Sequence, residues 1–228
     1  MSADELPDDF VQTVRNIDYT SPSLKINVAL SELPDFTCLP GQPHGAPGPQ
    51  HRGTIHISPT LDYIEQAYDD AKYGRPSASP VLECTIPSVV DPSVAPEGRH
   101  LMSMFVQYAP TTLREGSWDD VKEGFADRCF DVLSEYAPNI KRAVIARQVL
   151  SPLDIERRFA LTGGNIFQGA MTPGTLFFLR PVAGYANYRT PVRNLYLCGS
   201  AAHPGGGVIG AAGYNAAREI LSDTRRLR

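Results

Sequence analysis

Apolar residues recur along this chain with two different periods, and the changes from one to the other lay out its elements. Phe10, Val14 and Ile17 fall on one stripe of residues 6–17, with Asp8 and Asp9 in the first turn, where the helix dipole favours acids, so the spacing predicts a helix. Leu24, Ile26, Val28 and Leu30 then alternate with Lys25, Asn27 and Ala29, the period of two that marks a half-buried strand. The following PGQPHGAPGPQHRG is too rich in proline and glycine to hold regular structure. Its His44 and His51 are expected to be solvated rather than metal ligands.

Thr54 to Ser58 reads as a strand, and Leu61, Ile64, Tyr68 and Ala71 form a helical stripe closed by Gly74 at the C-cap. Leu82, Cys84 and Ile86 alternate with Glu83 and Thr85, while Leu101 to Tyr108 is apolar enough for the middle of a sheet. The turn residues DPSVAPEG between these two runs predict an antiparallel pair. Ser117-Trp118-Asp119-Asp120 starts a long helix to about Tyr136, stopped by Ala137-Pro138-Asn139. Ala143 to Leu150 suits another strand, and Ser151-Pro152-Leu153-Asp154 caps a short helix. Strands and helices in mixed order, without regular βαβ alternation, predict an α+β chain on a mainly antiparallel sheet.

Two later segments differ in kind. LTGGNIFQGAMTPGTLFFLRP, residues 161–181, has no clear period, yet it carries Ile166, Phe167, Met171, Phe177 and Phe178. So many bulky apolar groups predict a cavity lining or a domain junction rather than a surface loop. In NLYLCGSAAHPGGGVIGAAGYNAA, residues 194–217, the apolar run Leu195 to Cys198 fits a buried strand ending at Gly199-Ser200. Val208, Ile209, Ala212, Ala216 and Ile220 then mark a small-residue helix. A glycine turn feeding a helix N-terminus exposes unpaired N–H groups, a setting for an anionic or electron-rich ligand. Gly205-Gly206-Gly207-Val208-Ile209-Gly210 formally fits G-x-G-x-x-G, but Ala201-Ala202-His203-Pro204 separate it from the strand. The only acid near the required distance is Asp223, in the terminal tail, so this is no opening dinucleotide fingerprint.

Composition narrows the class. With 42% hydrophobic and 20% charged residues among 228, and a net charge of −4, the chain is an ordinary globular sequence. No basic run interleaves with aromatics, so no nucleic-acid partner is expected, and no apolar stretch is long enough to span a membrane. The acidic start MSADELPDD resembles neither a secretory signal nor a transit peptide. Cys38, Cys84, Cys129 and Cys198 are widely spaced, form no zinc pattern and read as free thiols.

The segments GGNIFQGAMTPGTLFFLRP and NLYLCGSAAHPGGGVIGAAGYNAA together resemble the C-terminal part of flavin-dependent oxidoreductases of the phytoene-desaturase and amine-oxidase type. SPSLKINVAL, DPSVAPEG, SMFVQYAP and YAPNIK extend the likeness over nearly the whole chain. The resemblance implies a two-domain FAD protein, of which this chain is expected to be the C-terminal half. Residues 1–160 would form part of a substrate-binding domain, 161–193 a junction and cavity-lining segment, and 194–228 the returning strand and helix of an incomplete Rossmann-like FAD domain.

Carried onto matching positions, Gly199 and Ser200 would lie near the ribityl and pyrophosphate part of FAD, and Gly205, Gly206, Gly207 and Val208 along the flavin edge. Ser200 stands where many related flavoproteins have an acidic residue, and a serine can still bond a ribityl hydroxyl. His203 is the candidate for proton relay or substrate polarisation; the alternative is that it fixes the turn before Pro204 by bonding backbone. Arg180 could face substrate or cofactor; otherwise it pairs with an acid. Asn165 is expected to satisfy the backbone of the GGN turn.

The implied activity is dehydrogenation of an apolar C–C or C–N bond, with electrons passing through FAD to an unidentified acceptor. The fragment alone is expected to be inactive. The alternative is an interaction or regulatory protein that keeps a flavoprotein fold and works through a protein partner. A mitochondrial matrix location is implied for a eukaryotic source and a cytoplasmic one for a bacterial source.

Overall fold

The structure is a computed structural model that describes residues 5–20, 23–39 and 45–226. In chain order its main elements are α1 (Asp8–Arg15), β1 (Ser23–Leu30), β2 (Ile55–Ile57), α2 (Leu61–Lys72), β3 (Val81–Thr85), α3 (Pro87–Val90), β4 (His100–Gln107), α4 (Trp118–Tyr136), α5 (Ile140–Ala143), β5 (Val144–Leu150), α6 (Pro152–Phe159) and α7 (Ala211–Arg226). They fall into two compact units: a sheet unit, residues 22–158, and a terminal unit made of residues 1–21 and 159–228. Among the described residues no helix is long and apolar enough to cross a membrane.

The sheet unit is a mixed α and β fold on a five-stranded antiparallel sheet of order β2-β3-β4-β1-β5. The run expected to sit centrally does so: β4 lies between β3 and β1. Register sends Leu24, Ile26, Val28 and Leu30 to the same face as Met102, Met104, Val106, Leu82 and Cys84, all buried. Phe125, Cys129 and Leu133 of α4 complete this core, so the alternation read in β1 and the 3.6-residue period of α4 meet in one layer. Lys25 and Asn27 take the other face, opposite Phe105 and Ser103.

Helix starts follow the cap residues. Ser117 Oγ accepts from Asp119 N–H at 3.2 Å, and Trp118 Nε1 donates to Pro110 O at 2.8 Å. At α6, Ser151 Oγ accepts from Asp154 N–H at 3.1 Å, while the Asp154 carboxylate accepts from Ser151 N–H at 3.0 Å. Lys122 closes on the same carboxylate at 2.9 Å. Burial pushes the Asp154 carboxyl up, but the bonds from Lys122 and Ser151 outweigh it and hold the group below its ordinary value. The stability it contributes is therefore present above the ordinary carboxylate pKa and lost as pH falls through the folded one. Asp154→Asn should lower the unfolding free energy at neutral pH by about 1–3 kcal/mol and flatten its fall on acidification. Urea titrations across a pH series check this; an unchanged acid limb would count against it.

Three expectations are corrected. His51 is 3% exposed rather than solvated, because both ring nitrogens have backbone partners: Nδ1 accepts from Gly48 N–H at 3.0 Å and Nε2 bonds Pro34 O at 2.8 Å. His44 lies outside the described residues. In α2 the buried side is centred on Ala67, with Tyr63, Ile64 and Ala71 beside it; Leu61 is 84% exposed and Tyr68 also faces out. The Tyr63 hydroxyl turns inward to Pro80 O at 2.9 Å, which rotates the helix away from the stripe of largest residues.

The third correction concerns the terminal unit. Leu195 to Cys198 does not run as a buried strand: one bridge, Arg189 with Tyr196, is supported by Leu197 N–H to Tyr188 O at 2.8 Å and Thr190 N–H to Leu195 O at 3.1 Å. An isolated two-stranded pairing is marginal without further strands beside it. The helix that follows is present as α7, starting after Val208 and Ile209, which are exposed; Ala212 and Ala216 pack with Tyr188, Ala202 and Leu197 in a small core. Arg189 ties α7 to this segment through Asp223 at 2.8 Å and through Glu219.

Candidate functional site

The glycine turn and the start of α7 enclose a cleft of about 170 Å³ lined by Cys198, Gly199, Ser200, Gly205, Gly207 and Ile209 together with residues 210–213. Gly205 is buried with φ +110° and Gly207 has φ +113°, left-handed conformations that glycine alone adopts without strain. Gly210, φ +68°, turns the chain into α7, whose first N–H groups have no partners within the helix. Of the six residues expected to hold a cofactor, Gly199, Ser200, Gly205 and Gly207 line this cleft, whereas Gly206 and Val208 do not. Val208 stands fully exposed beside it. Gly206 is roofed by Phe167, since a Cβ there would fall on the Phe167 ring.

Asn165 shapes the neighbouring segment, and Arg180 ties that segment to Ser200 ahead of the turn. Asn165 is buried and bonds backbone as expected: it accepts from Phe167 N–H at 2.9 Å and Gly169 N–H at 3.3 Å and donates to Thr20 O at 2.8 Å. Arg180 is 2% exposed and spends its guanidinium on backbone carbonyls: Nε and Nη2 donate to Ser200 O at 3.0 and 2.7 Å, Nη1 and Nη2 to Gly169 O at 3.4 Å, and Nη2 also to Phe167 O. Among the described residues, carbonyl acceptors thus stand where the alternative reading of Arg180 placed an acid. Burial draws its pKa below the ordinary arginine value, with the Tyr19 phenol opposing.

His203 lies 6.5 Å from the Phe177 ring, centroid to centroid, and its Nδ1 is buried without a hydrogen-bond partner, so that atom does not fix the backbone of the turn. His203 and Arg180 do not line the cleft. Ile166, Phe167, Met171, Phe177 and Phe178 of this segment are exposed, Phe178 by 73%. Met171 nevertheless touches the turn: a Cβ on Gly205 would lie 2.9 Å from its Cε. Neither the Phe167 and Met171 contacts nor the place of Cys198 in the cleft lining was readable from the sequence; three adjacent glycines signalled only that something approaches closely.

The thiols sort by environment. Cys84 and Cys129 are buried in the sheet core, and burial pushes the Cys84 thiol up to about 12 and that of Cys129 higher still. Cys38 and Cys198 are exposed. No close cysteine pair of the disulfide-reductase kind is present in the sequence.

No family model matches the sequence. Individual comparisons find it similar to proteins named as oxidoreductases and desaturases. The pyridine nucleotide-disulfide oxidoreductase domain-containing protein 2 of Rattus norvegicus is 48% identical over 226 residues, 97% of this chain and 39% of the rat protein. The lycopene-forming phytoene desaturase of Pseudescherichia vulneris is 32% identical over 129 residues, 54% of this chain and 25% of the other. The 4,4'-diapophytoene desaturase of Staphylococcus aureus is 28% identical over 154 residues, 64% of this chain and 28% of the other. The chain is therefore a relative of the rat protein and, at greater distance, of desaturases. It spans about two fifths of the length of the rat relative it matches.

Proposed function

We propose that this chain is part of an FAD-dependent oxidoreductase, with the 170 Å³ cleft holding part of the cofactor and the sheet unit contributing to a substrate domain. The observation that carries this reading is the convergence of Gly199, Ser200, Gly205 and Gly207 on the first turn of α7. Backbone without side chains admits a flat ring closely, and the helix start favours an electron-rich ligand. FAD, when bound, supplies the two-electron acceptor for dehydrogenating the substrate. The exposed Phe177 and Phe178 suit an apolar substrate. They also favour a second reading, docking to a protein partner without turnover; reduction of bound flavin by an apolar substrate decides for the enzyme.

Cys198 provides the test. Two of the four thiols, Cys38 and Cys198, should react with a maleimide in the native protein and all four after denaturation. Millimolar FAD should slow labelling of Cys198 several-fold and leave Cys38 untouched. A cleft smaller than the roughly 300–1,000 Å³ of ligand pockets holds only part of FAD, so the dissociation constant should lie above about 1 μM. Labelling of Cys198 at an unchanged rate would end this reading.

A further inference from the structure

Among the described residues Arg180 is a buried cation with no carboxylate paired to it. Its five bonds all run to the carbonyls of Phe167, Gly169 and Ser200, and these polar groups solvate the guanidinium but do not neutralise it. Asp18, whose own carbonyl accepts from Ala170 N–H at 2.7 Å, turns its carboxylate to Thr20 N–H at 2.8 Å. Glu219 and Asp223 are held by Arg189. A whole positive charge therefore sits directly behind the cleft wall: Arg180 bonds Ser200 and comes within 3.5 Å of the Cβ position of Gly205, and both residues line the cleft.

A structural clamp would not need that charge. Backbone carbonyls can be bridged by neutral donors such as a glutamine amide, and burying an uncompensated cation costs several kcal/mol by itself. Its charge is felt across a single layer of backbone, where screening is weaker than in bulk water. We propose that Arg180 is a positioning residue whose charge tunes the cleft toward ligands that carry or gain negative charge, so that bound flavin is held more tightly reduced than oxidised. This rests on the cleft being a flavin site.

The test is an anaerobic titration of the 228-residue chain with oxidised and with reduced FAD, comparing the two dissociation constants. Two unit charges about 12 Å apart at an effective dielectric of about 20 attract enough for about a tenfold preference. In Arg180→Gln the ratio of the two constants should therefore fall about tenfold, while Arg180→Lys, which keeps the charge, should retain it even if both affinities drop. A merely structural role would weaken both forms equally. Gln168→Glu gives a variant that leaves Arg180 in place should Arg180→Gln fail to fold: Gln168 is exposed, its Oε1 lies 3.8 Å from the Cβ position of Gly199, and the added negative charge should also lower the preference severalfold. An unchanged ratio in the folded variants overturns the inference and leaves the cleft reading standing. If the wild-type chain binds neither form, the cleft reading falls and the inference with it.

Discussion

Gly205→Ala is expected to abolish protection of Cys198 by FAD and to lower the unfolding free energy by about 2–4 kcal/mol. Two costs combine. The backbone at Gly205 has φ +110°, a region that a residue with a Cβ enters only with strain. The added methyl would also meet Met171 Cε at 2.9 Å and Sδ at 3.4 Å, with Arg180 Nε at 3.5 Å behind them. Met171 can swing aside, but Arg180 is held by Ser200 and Gly169, so the turn must yield and the cleft wall moves. Gly124→Ala provides the contrast: it lies in α4 with nothing within 4 Å of its Cβ position, and it should raise stability by about 0.5–1 kcal/mol. Chemical denaturation and Cys198 labelling of the two variants measure both effects. A Gly205→Ala protein as stable as the wild type, with Cys198 still protected, would show that the turn is not the cleft's rigid wall.

Ile26→Ala should cost about 2–5 kcal/mol. Ile26 is fully buried on β1, the strand between β4 and β5, and it faces the same layer as Met104 and Val149. A cavity there is flanked by paired strands on both sides and by the α4 core, so the surroundings cannot collapse to fill it. Leu61→Ala removes a comparable volume but should stay within about 0.5 kcal/mol, because Leu61 is exposed at the start of α2. Equal losses in the two variants, read by urea unfolding, would place Leu61 in the core and refute the inward side assigned to α2.

The elements of the sheet unit were legible because each side chain there answers to one simple period. β1, β3, β4, α4 and α6 begin and end within a few residues of where alternation, caps and prolines put them. A strand with one buried face must alternate, and a helix covering it must repeat near 3.6, so the pattern carries the layer. α2 shows the limit of that logic. Leu61 and Tyr68 are larger than Ala67, yet the inward bond of the Tyr63 hydroxyl and the close approach of the helix select the small residue for the interior. His51 escaped for a related reason: its burial depends on a carbonyl at Pro34, far along the chain, which no local signal announces.

In the terminal unit the sequence by itself determined less. It marked a glycine turn before a helix and an asparagine that would bind its own backbone, since both follow from the conformational freedom and short side chains of the residues concerned. Tertiary structure alone decided that Phe167 covers Gly206, that Met171 rests against Gly205, and that Arg180 joins Phe167, Gly169 and Ser200 with no acid opposite among the described residues. Those contacts link residues 11 to 39 positions apart in the chain, and their energy lies in desolvation and mutual geometry. Neither quantity exists until the chain has brought the segments together.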